Sequence, residues 1–200
     1  MLASKDELRT RMRDRRLGLS PDEVRLYSEA AAVHCANLPV MASATTLALY
    51  APILGELDTA ALAGHLRARS LTVCYPCIAT RHSVLAFHVV DDVGKLVPNR
   101  LGIPEPTEDM PEFERSQLDA IVVPGLAFDA HGGRLGWGGA YYDATLSAAP
   151  QALRIGICYE IQVVTQVPTT ASDERMDVLV TELCARPTGA RSTNLLRRVR

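Results

Sequence analysis

One stretch of the chain is exceptionally rich in glycine: Gly132-Gly133-Arg134-Leu135-Gly136-Trp137-Gly138-Gly139-Ala140-Tyr141-Tyr142-Asp143. Residues 118–125 just before it (Leu-Asp-Ala-Ile-Val-Val-Pro-Gly) are typical of a buried strand that ends in a turn. Residues 143–149 just after it (Asp-Ala-Thr-Leu-Ser-Ala-Ala) are typical of a helix. We therefore predict that the stretch connects a buried strand to the N-terminus of a helix.

A connection of this kind can bind an anion. It exposes backbone N–H groups beside the positive end of a helix, and glycines let a ligand approach the backbone closely. Arg134 adds a forked cation suited to phosphate, and Asp143 adds a carboxylate that can hold a phosphate-bound Mg²⁺. The alternative is a tight turn that only packs a helix on a sheet. Five glycines, one Arg, two Tyr and one Asp within twelve residues favour a binding site.

The segments on both sides of this stretch indicate the class of fold. Ser4 and Ser20 each stand three residues before a Glu, a pairing that marks the start of a helix. The helices are predicted at 4–17, 20–36, 59–68 and 143–149, and the strands at 44–50, 71–76, 84–89, 118–123, 154–159 and 178–181. Because strands alternate with helices, we predict a three-layer α/β/α sandwich with a mostly parallel central sheet. We expect one domain over residues 1–185 and a flexible basic tail over 186–200.

Composition excludes several classes of protein. The net charge is −2, so the chain as a whole does not have the charge of a nucleic-acid binder. It contains neither a secretory signal pattern nor an apolar run of membrane-spanning length. Five cysteines without regular spacing argue against a disulfide framework, and Cys74-Tyr75-Pro76-Cys77 is interpreted as a pair of core thiols. We expect a cytoplasmic monomer with neither nucleic acid nor a membrane as partner.

Other polar residues lie where strands are predicted to end, which is where ligands bind in open α/β sheets. Glu56 follows the first strand, and Gln162 and Asp173 follow later ones. Glu56 is either an ordinary loop carboxylate or a ligand contact, and position alone does not choose. Lys5 and Arg9 stand one turn apart on the first helix. They either form a solvated basic face or reach a polyanion held elsewhere in the fold.

No nucleophile elbow, catalytic-triad order or zinc-ligand spacing is present. The remaining candidates are cations and amides for phosphates, carboxylates for Mg²⁺, and aromatic side chains for a flat ligand. These are the parts that phosphoryl transfer needs, because the protein mainly positions the reactants and neutralises charge.

At this point the sequence resembles the 5-formyltetrahydrofolate cyclo-ligase (5,10-methenyltetrahydrofolate synthetase) family. The matching pieces follow one another in order across nearly the whole chain. They are Lys5-x-x-Leu8-Arg9, Glu56-Leu57-Asp58-Thr59, Leu101-Gly102-Ile103-Pro104-Glu105-Pro106, Val123-Pro124-Gly125-Leu126-Ala127-Phe128-Asp129, Arg134-Leu135-Gly136-x-Gly138-Gly139-x-Tyr141-Tyr142-Asp143, and Gln162 with Asp173 and Asp177.

The resemblance implies an ATP- and Mg²⁺-dependent ring closure of 5-formyltetrahydrofolate, possibly polyglutamylated in the cell, to 5,10-methenyltetrahydrofolate. ADP and phosphate would be released after phosphorylation of the formyl oxygen. It assigns catalysis to Arg134 and Lys5, and Mg²⁺ binding to Asp143 and Asp173. The residues implied for ATP are Lys5, Arg9, Arg134, Leu135, Gly136, Trp137, Gly138, Gly139, Ala140, Tyr141 and Tyr142. Those implied for the folate are Ala51, Glu56, Trp137, Gly138, Gly139, Ala140 and Tyr141.

The chain departs from the pattern of the family at several positions. Ala140 stands where the loop often has a third glycine, and Ala144 stands where a basic residue is common. Trp137 and Ser172 also replace more usual residues. Ala140 and Ala144 keep a second hypothesis open, in which the protein is a non-catalytic paralogue that binds folate or nucleotide.

Overall fold

The structure is a computed structural model, and it describes residues 4–78 and 84–189. These residues form four α-helices: α1 (Lys5–Leu17), α2 (Pro21–Ala36), α3 (Ala60–Ala68) and α4 (Tyr141–Ser147). Both predicted capping boxes are confirmed. The side chains of Ser4 and Ser20 accept the backbone N–H groups of Glu7 and Glu23, and the carboxylates of Glu7 and Glu23 accept the backbone N–H groups of Ser4 and Ser20. Within the described residues, no helix is long and apolar enough to cross a membrane.

In the part of the chain that the structure describes, thirteen short strands form the sheets. They are β1 (Thr46–Ala48), β2 (Thr72–Cys77), β3 (Ala86–Val89), β4 (Val97–Pro98), β5 (Pro104–Glu105), β6 (Glu112–Phe113), β7 (Ala120–Val123), β8 (Ala127–Asp129), β9 (Arg134–Leu135), β10 (Leu153–Ile157), β11 (Val163–Val164), β12 (Val178–Val180) and β13 (Ala185–Pro187). The main sheet has the order β13-β12-β10-β7-β1-β2-β3-β6. Its five central strands, from β12 to β2, are parallel, and the pairs at its edges are antiparallel. The predicted mostly parallel sheet is confirmed.

Alternate residues of the central strands pack into two separate hydrophobic cores, because successive side chains of a strand point to opposite faces of the sheet. On β7, Val122 joins the core under α2 and α3, whereas Ile121 joins the core that includes Leu146 of α4. A smaller sheet, β11-β8-β9, packs against the second core through Phe128 and Val163. Helix α1 packs against this small sheet through Leu8 and Met12. The three-layer arrangement is therefore as predicted, with α1 placed beside the glycine-rich stretch.

The structure differs from the predictions at two boundaries. The glycine-rich stretch does not lead directly from the buried strand β7 to α4, because β8, just before the stretch, first forms a hairpin with β9 inside it. At the other end, β13 pairs with β12 beyond the predicted domain boundary at residue 185, and Arg186 forms an ion pair with Glu160. Residues 190–200 lie outside the described residues, so the predicted flexibility of that part stays a prediction.

Gly156 on β10 provides a test of this packing. A Cβ at this position would lie 2.8 Å from a ring carbon of Phe128 and 3.0 Å from Cγ of Met176. Gly156→Ala should therefore lower the free energy of unfolding, measured by urea titration, by about 1–3 kcal/mol through overpacking.

Gly64 in α3 is the matched control, because a Cβ there would meet no atom within 4 Å. Gly64→Ala should raise the free energy of unfolding by up to about 1 kcal/mol through helix propensity. If Gly156→Ala were as stable as the parent protein, the close packing of β10 on Phe128 would be wrong.

Candidate active site

A cavity of about 440 Å³ opens at the carboxyl ends of three neighbouring parallel strands. Tyr50 follows β1, Ile78 follows β2 and Pro124 follows β7, and all three line the cavity. Every site residue predicted from the sequence also lines it: Lys5, Arg9, Ala51, Glu56, Arg134, Leu135, Gly136, Trp137, Gly138, Gly139, Ala140, Tyr141, Tyr142, Asp143 and Asp173. The structure thus brings these residues together, while their individual roles stay predictions.

The glycines of the stretch divide into two groups. Gly132 and Gly133 build the β8–β9 turn, where both oxygens of the buried Asp129 side chain accept backbone N–H groups. Gly132 has φ +81°, and a Cβ on it would lie 2.3 Å from the carbonyl oxygen of Met176. These two glycines are therefore required by the turn. The other three glycines of the stretch, Gly136, Gly138 and Gly139, line the cavity.

Arg134 and Asp143 face each other across the loop that these three glycines form. Arg134 Nη2 lies 2.9 Å from Asp143 Oδ2, and the two side chains are only 6% and 20% exposed. The guanidinium also stacks over the ring of Tyr142, with Cζ 5.7 Å from the ring centroid. Arg134 Nε is buried and has no hydrogen-bond partner among the described residues. The second carboxylate oxygen of Asp143 accepts the backbone N–H of Glu174 at 3.0 Å.

Two cations of α1 reach the same cavity. Lys5 Nζ lies 2.8 Å from Asp173 Oδ2, and Arg9 Nε donates to the carbonyl oxygen of Gly136 at 3.1 Å. Burial acts to raise the pKa of Asp173, but hydrogen bonds from Lys5 and Thr170 and the charge of Lys5 outweigh it and lower the pKa. The sequence left open whether Lys5 and Arg9 form only a solvated face. The structure places both against the glycine loop and the carboxylates.

Glu56 is almost fully buried and lies at the wall of the cavity. Its Oε1 accepts the indole N–H of Trp137 at 3.2 Å, and its Oε2 accepts the backbone N–H of Ile53 at 3.2 Å. The guanidinium of Arg16 lies behind it, with Nη1 3.7 Å from Oε1. Burial raises the pKa of Glu56, and the charge of Arg16 opposes that rise.

Sequence reasoning missed Arg16, which it treated as one more charge of a basic helix. A signal was present, since Leu8, Met12 and Arg16 are spaced by four residues and so lie on one face of α1. All three are buried. An Arg that continues an apolar stripe is a candidate for a buried cation.

An apolar part of the cavity wall was also missed. It includes Ile53, Ile78, Leu85, Leu101 and Ile103. Leu101 and Ile103 belong to the proline-rich segment 96–106, which forms the β4–β5 hairpin. In a sequence such residues cannot be told from core residues, because only the fold shows that they face a cavity.

Gln162, which the sequence analysis placed near the site, does not line the cavity. The sequence analysis grouped Gln162 with the strand-end residues, but its side chain is buried. Its amide donates to the carbonyl oxygens of Gly125 and Leu126, each at 2.9 Å, and accepts from the backbone N–H of Tyr159. Gln162 therefore holds together the backbone beneath the site.

The carboxylates are compatible with a Mg²⁺ ion that is shared with phosphates. Among the described residues, no group of three or more His, Cys, Asp or Glu side chains could hold a metal without other ligands. Mg²⁺ in phosphoryl-transfer sites needs only one or two carboxylates, because phosphates and water supply the other oxygens. Asp143 and Asp173 meet that requirement, and the Glu174 N–H bond to Asp143 ties their two segments together.

The sequence and the fold were compared with known proteins. The sequence model of the 5-formyltetrahydrofolate cyclo-ligase family matches residues 1–182. The chain is 33% identical over 177 residues to the 5-formyltetrahydrofolate cyclo-ligase of Escherichia coli strain K12, covering 85% of this chain and 96% of that protein. It is 30% identical over 182 residues to the Haemophilus influenzae protein of the same name, covering 88% and 97%.

The fold is similar to that of solved structures. The NMR structure of Aquifex aeolicus 5,10-methenyltetrahydrofolate synthetase superposes with a TM-score of 0.80 at 34% identity, covering 94% of this chain and 95% of that one. The 5,10-methenyltetrahydrofolate synthetase of Mycoplasma pneumoniae has a TM-score of 0.73 at 22% identity, and at that identity it supports the fold alone.

Ala140, just before α4, is in the left-handed region with φ +55°. This conformation explains why glycine suits the position, since a Cβ in the left-handed region costs about 1–2 kcal/mol. Ala140→Gly should raise the free energy of unfolding by about 1 kcal/mol, after allowance for the greater freedom of Gly in the unfolded chain.

The control is Ala144→Gly inside α4, which should lower the free energy of unfolding by about 1 kcal/mol because Gly is a poor helix former. Equal destabilisation by both variants in urea titrations would contradict the left-handed conformation of residue 140.

Proposed function

The chain belongs to the 5-formyltetrahydrofolate cyclo-ligase family, and from this premise we propose that it uses ATP and Mg²⁺ to close the ring of 5-formyltetrahydrofolate. The products are 5,10-methenyltetrahydrofolate, ADP and phosphate. One observation carries the proposal: two cations and two carboxylates, paired as Lys5–Asp173 and Arg134–Asp143, line the same cavity as the apolar wall.

The chemistry of the substrate explains why ATP is needed. The N5-formyl group is an amide, and its oxygen is a poor leaving group. In our proposal the formyl oxygen attacks the γ-phosphorus of ATP, and ADP leaves with the electrons of the broken P–O bond. N10 of the folate then attacks the formyl carbon and loses its proton. The C–O bond breaks, and phosphate departs with the former formyl oxygen.

We assign the polar side of the cavity to ATP. Phosphoryl transfer depends on cations placed where negative charge accumulates. Arg134 offers a planar fork for phosphate oxygens, and its buried Nε has no hydrogen-bond partner among the residues the structure describes. Lys5 offers a mobile point charge, and Arg9 is held near the loop by Gly136. The remaining lining residues assigned to ATP are Leu135, Gly138, Gly139, Ala140, Tyr141, Tyr142 and Trp137.

The two carboxylates are paired with cations in this structure, and the pairs can exchange partners. When phosphates arrive, Lys5 and Arg134 can bind phosphate oxygens, and Asp173 and Asp143 are then available for Mg²⁺. A bound Mg²⁺ would neutralise part of the phosphate charge. The chain's own contribution is to hold both carboxylates at the cavity through backbone N–H groups, from Thr170 to Asp173 and from Glu174 to Asp143, which do not depend on Lys5 or Arg134.

We assign Ala51, Glu56 and the apolar wall to the folate. Glu56 is a buried acceptor, and a pterin ring carries several N–H donors. The loop residues Trp137, Gly138, Gly139, Ala140 and Tyr141 border both ligands in this assignment. We further propose that the protein acts as a cytoplasmic monomer, without nucleic acid or membrane partners, on folates with or without a polyglutamate tail.

Arg134 is the most direct test of this function. Purified protein with Mg-ATP and 5-formyltetrahydrofolate should form methenyltetrahydrofolate, followed by its absorbance, with one ADP for each product. Arg134→Ala should lower kcat by at least about 10²-fold, because a preorganised donor to the transferring group is lost. Circular dichroism should show the fold intact.

Arg175→Ala is the matched control, since Arg175 is exposed and donates to the His131 carbonyl near the same loop. It should keep the parent rate. Parent-like turnover by Arg134→Ala would contradict the assignment of the loop. Absence of product from the parent protein, despite binding of both ligands, would support the non-catalytic alternative.

Asp143 tests the proposed metal contact. Asp143→Asn should raise the Mg²⁺ concentration that gives half-maximal rate, because a neutral amide is a weaker ligand than a carboxylate. The measurement is the rate as a function of free Mg²⁺ at fixed ATP.

The control is Glu105→Gln, which changes another cavity carboxylate that is hydrogen-bonded to the Ile78 N–H. It should leave the Mg²⁺ half-saturation unchanged, whatever it does to the rate. An unchanged Mg²⁺ dependence in Asp143→Asn would remove Asp143 from the metal site.

A further inference from the structure

Arg16 is a buried cation that takes no part in the proposed reaction steps. It is 1% exposed, although it belongs to a helix whose other Arg side chains are exposed or partly so. Its Nε and Nη2 both donate to the carbonyl oxygen of Leu54, at 3.2 and 2.8 Å. Its Nη1 is buried without a hydrogen-bond partner among the described residues and lies 3.7 Å from Glu56 Oε1.

Burial of this pair has a direct consequence for Glu56. An ionised carboxylate taken out of water is destabilised unless a counter-charge is near. The Arg16 and Glu56 side chains are 0% and 4% exposed, so solvent screens their attraction only weakly. Arg16 is the cation placed to keep Glu56 ionised, and its bonds to Leu54 hold the guanidinium in place.

The indole of Trp137 lies on the same two groups. Its N–H donates to Glu56 Oε1, and its ring is stacked on the guanidinium with Arg16 Cζ 5.4 Å from the ring centroid. Trp137 is nevertheless 42% exposed, so the side chain that covers Glu56 can be reached from the solvent. The indole N–H thus occupies the acceptor that an N–H donor of a ligand would need.

We propose that Arg16 is a positioning residue for the folate site: it holds Glu56 as a charged acceptor, which the Trp137 indole occupies in the free protein and a ring N–H of 5-formyltetrahydrofolate occupies in the complex. The inference rests on the proposed folate contact of Glu56 and adds a residue behind it. Arg16 itself lies behind Glu56 and does not touch the substrate in this account.

The titration of the Glu56 carboxylate can be distinguished from that of the groups that face it. These groups are Arg16 from α1, Trp137 from the glycine loop, and Tyr50 and Tyr142, whereas the hydroxyl of Tyr159 donates to the backbone carbonyl of Glu56. Burial raises the pKa of each of these tyrosines, to about 12 for Tyr159, so none of them titrates near neutral pH. A pH dependence of folate binding that appears when Arg16 is replaced therefore reports on Glu56.

The experiment measures binding of 5-formyltetrahydrofolate without ATP, so turnover does not enter. Trp137 is the single tryptophan of the chain, and its fluorescence gives Kd, with calorimetry as a check. Four proteins are titrated between pH 6 and 9: the parent, Arg16→Met, Glu56→Gln and the double variant. The conservative variant Arg16→Lys is the rescue control.

Arg16→Met should weaken binding by at least about tenfold at pH 6, or ~1.4 kcal/mol, and less as the pH rises. The sign follows from the loss of the cation: the pKa of Glu56 rises further, so a higher pH is needed to ionise it. Glu56→Gln should weaken binding equally at every pH. The double variant should match Glu56→Gln, because Arg16 then has no carboxylate to hold. Arg16→Lys should keep the parent pH profile.

Two results would overturn the inference. One is Arg16→Met binding like the parent at every pH, and the other is a pH-independent loss that simply adds to that of Glu56→Gln. If Arg16→Met does not fold alone, the double variant decides: it should fold, because Glu56→Gln removes the buried charge that Arg16→Met leaves without its counter-ion. A double variant that also fails to fold, while Glu56→Gln alone folds, would again overturn the inference.

A matched cycle with Glu105→Gln checks that the coupling is specific. Glu105 is another carboxylate of the cavity wall with a pKa raised by burial, but its carboxylate bonds the Ile78 N–H. Arg16→Met and Glu105→Gln should have additive effects on Kd. If the parent binds no 5-formyltetrahydrofolate, the proposed function and this inference both fail. If Glu56→Gln weakens binding and Arg16→Met does not, only this inference fails.

Discussion

The ion pair between Arg134 and Asp143 joins the two ends of the glycine loop, and the arrangement of the cavity depends on it. Arg134 lies on β9 and Asp143 on α4, and the glycines between them have little conformational preference of their own. With the pair closed at 2.9 Å and largely shielded from solvent, the loop has fixed ends. Asp143 also binds the Glu174 N–H, so the segment that contains Asp173 is fixed by the same carboxylate.

A chain of polar contacts therefore surrounds the cavity, and each contact joins segments distant in sequence. Lys5 connects α1 to Asp173, and Arg9 connects α1 to the loop at Gly136. Arg16, from the last turn of α1, reaches Glu56 after β1. One helix thus contacts three parts of the wall. The helix packs against the small sheet through the narrow apolar stripe of Leu8 and Met12, and it presents Lys5 and Arg9 to the cavity.

Local patterns predicted much of this fold, and tertiary contacts decided the rest. The capping boxes at Ser4 and Ser20 predicted the starts of α1 and α2, and the apolar run at 120–123 predicted the central strand β7. These signals could be recognised because each lies within a few residues. The β8–β9 hairpin could not be predicted in that way, since its short strands depend on Asp129 bonding residues as distant as Val167. The apolar wall was missed for the same reason, because burial is set by the fold. Arg16 did carry a local signal, since it continues the apolar stripe of Leu8 and Met12 on α1.

We propose that this cavity brings the γ-phosphate of ATP to the formyl oxygen of the folate. The most direct measurement starts from 5-formyltetrahydrofolate labelled with ¹⁸O in the formyl group and follows the label by mass spectrometry through one turnover with Mg-ATP. Our account predicts that the label appears in inorganic phosphate, because the formyl oxygen leaves with the phosphoryl group. Label released into water, with unlabelled phosphate, would contradict it.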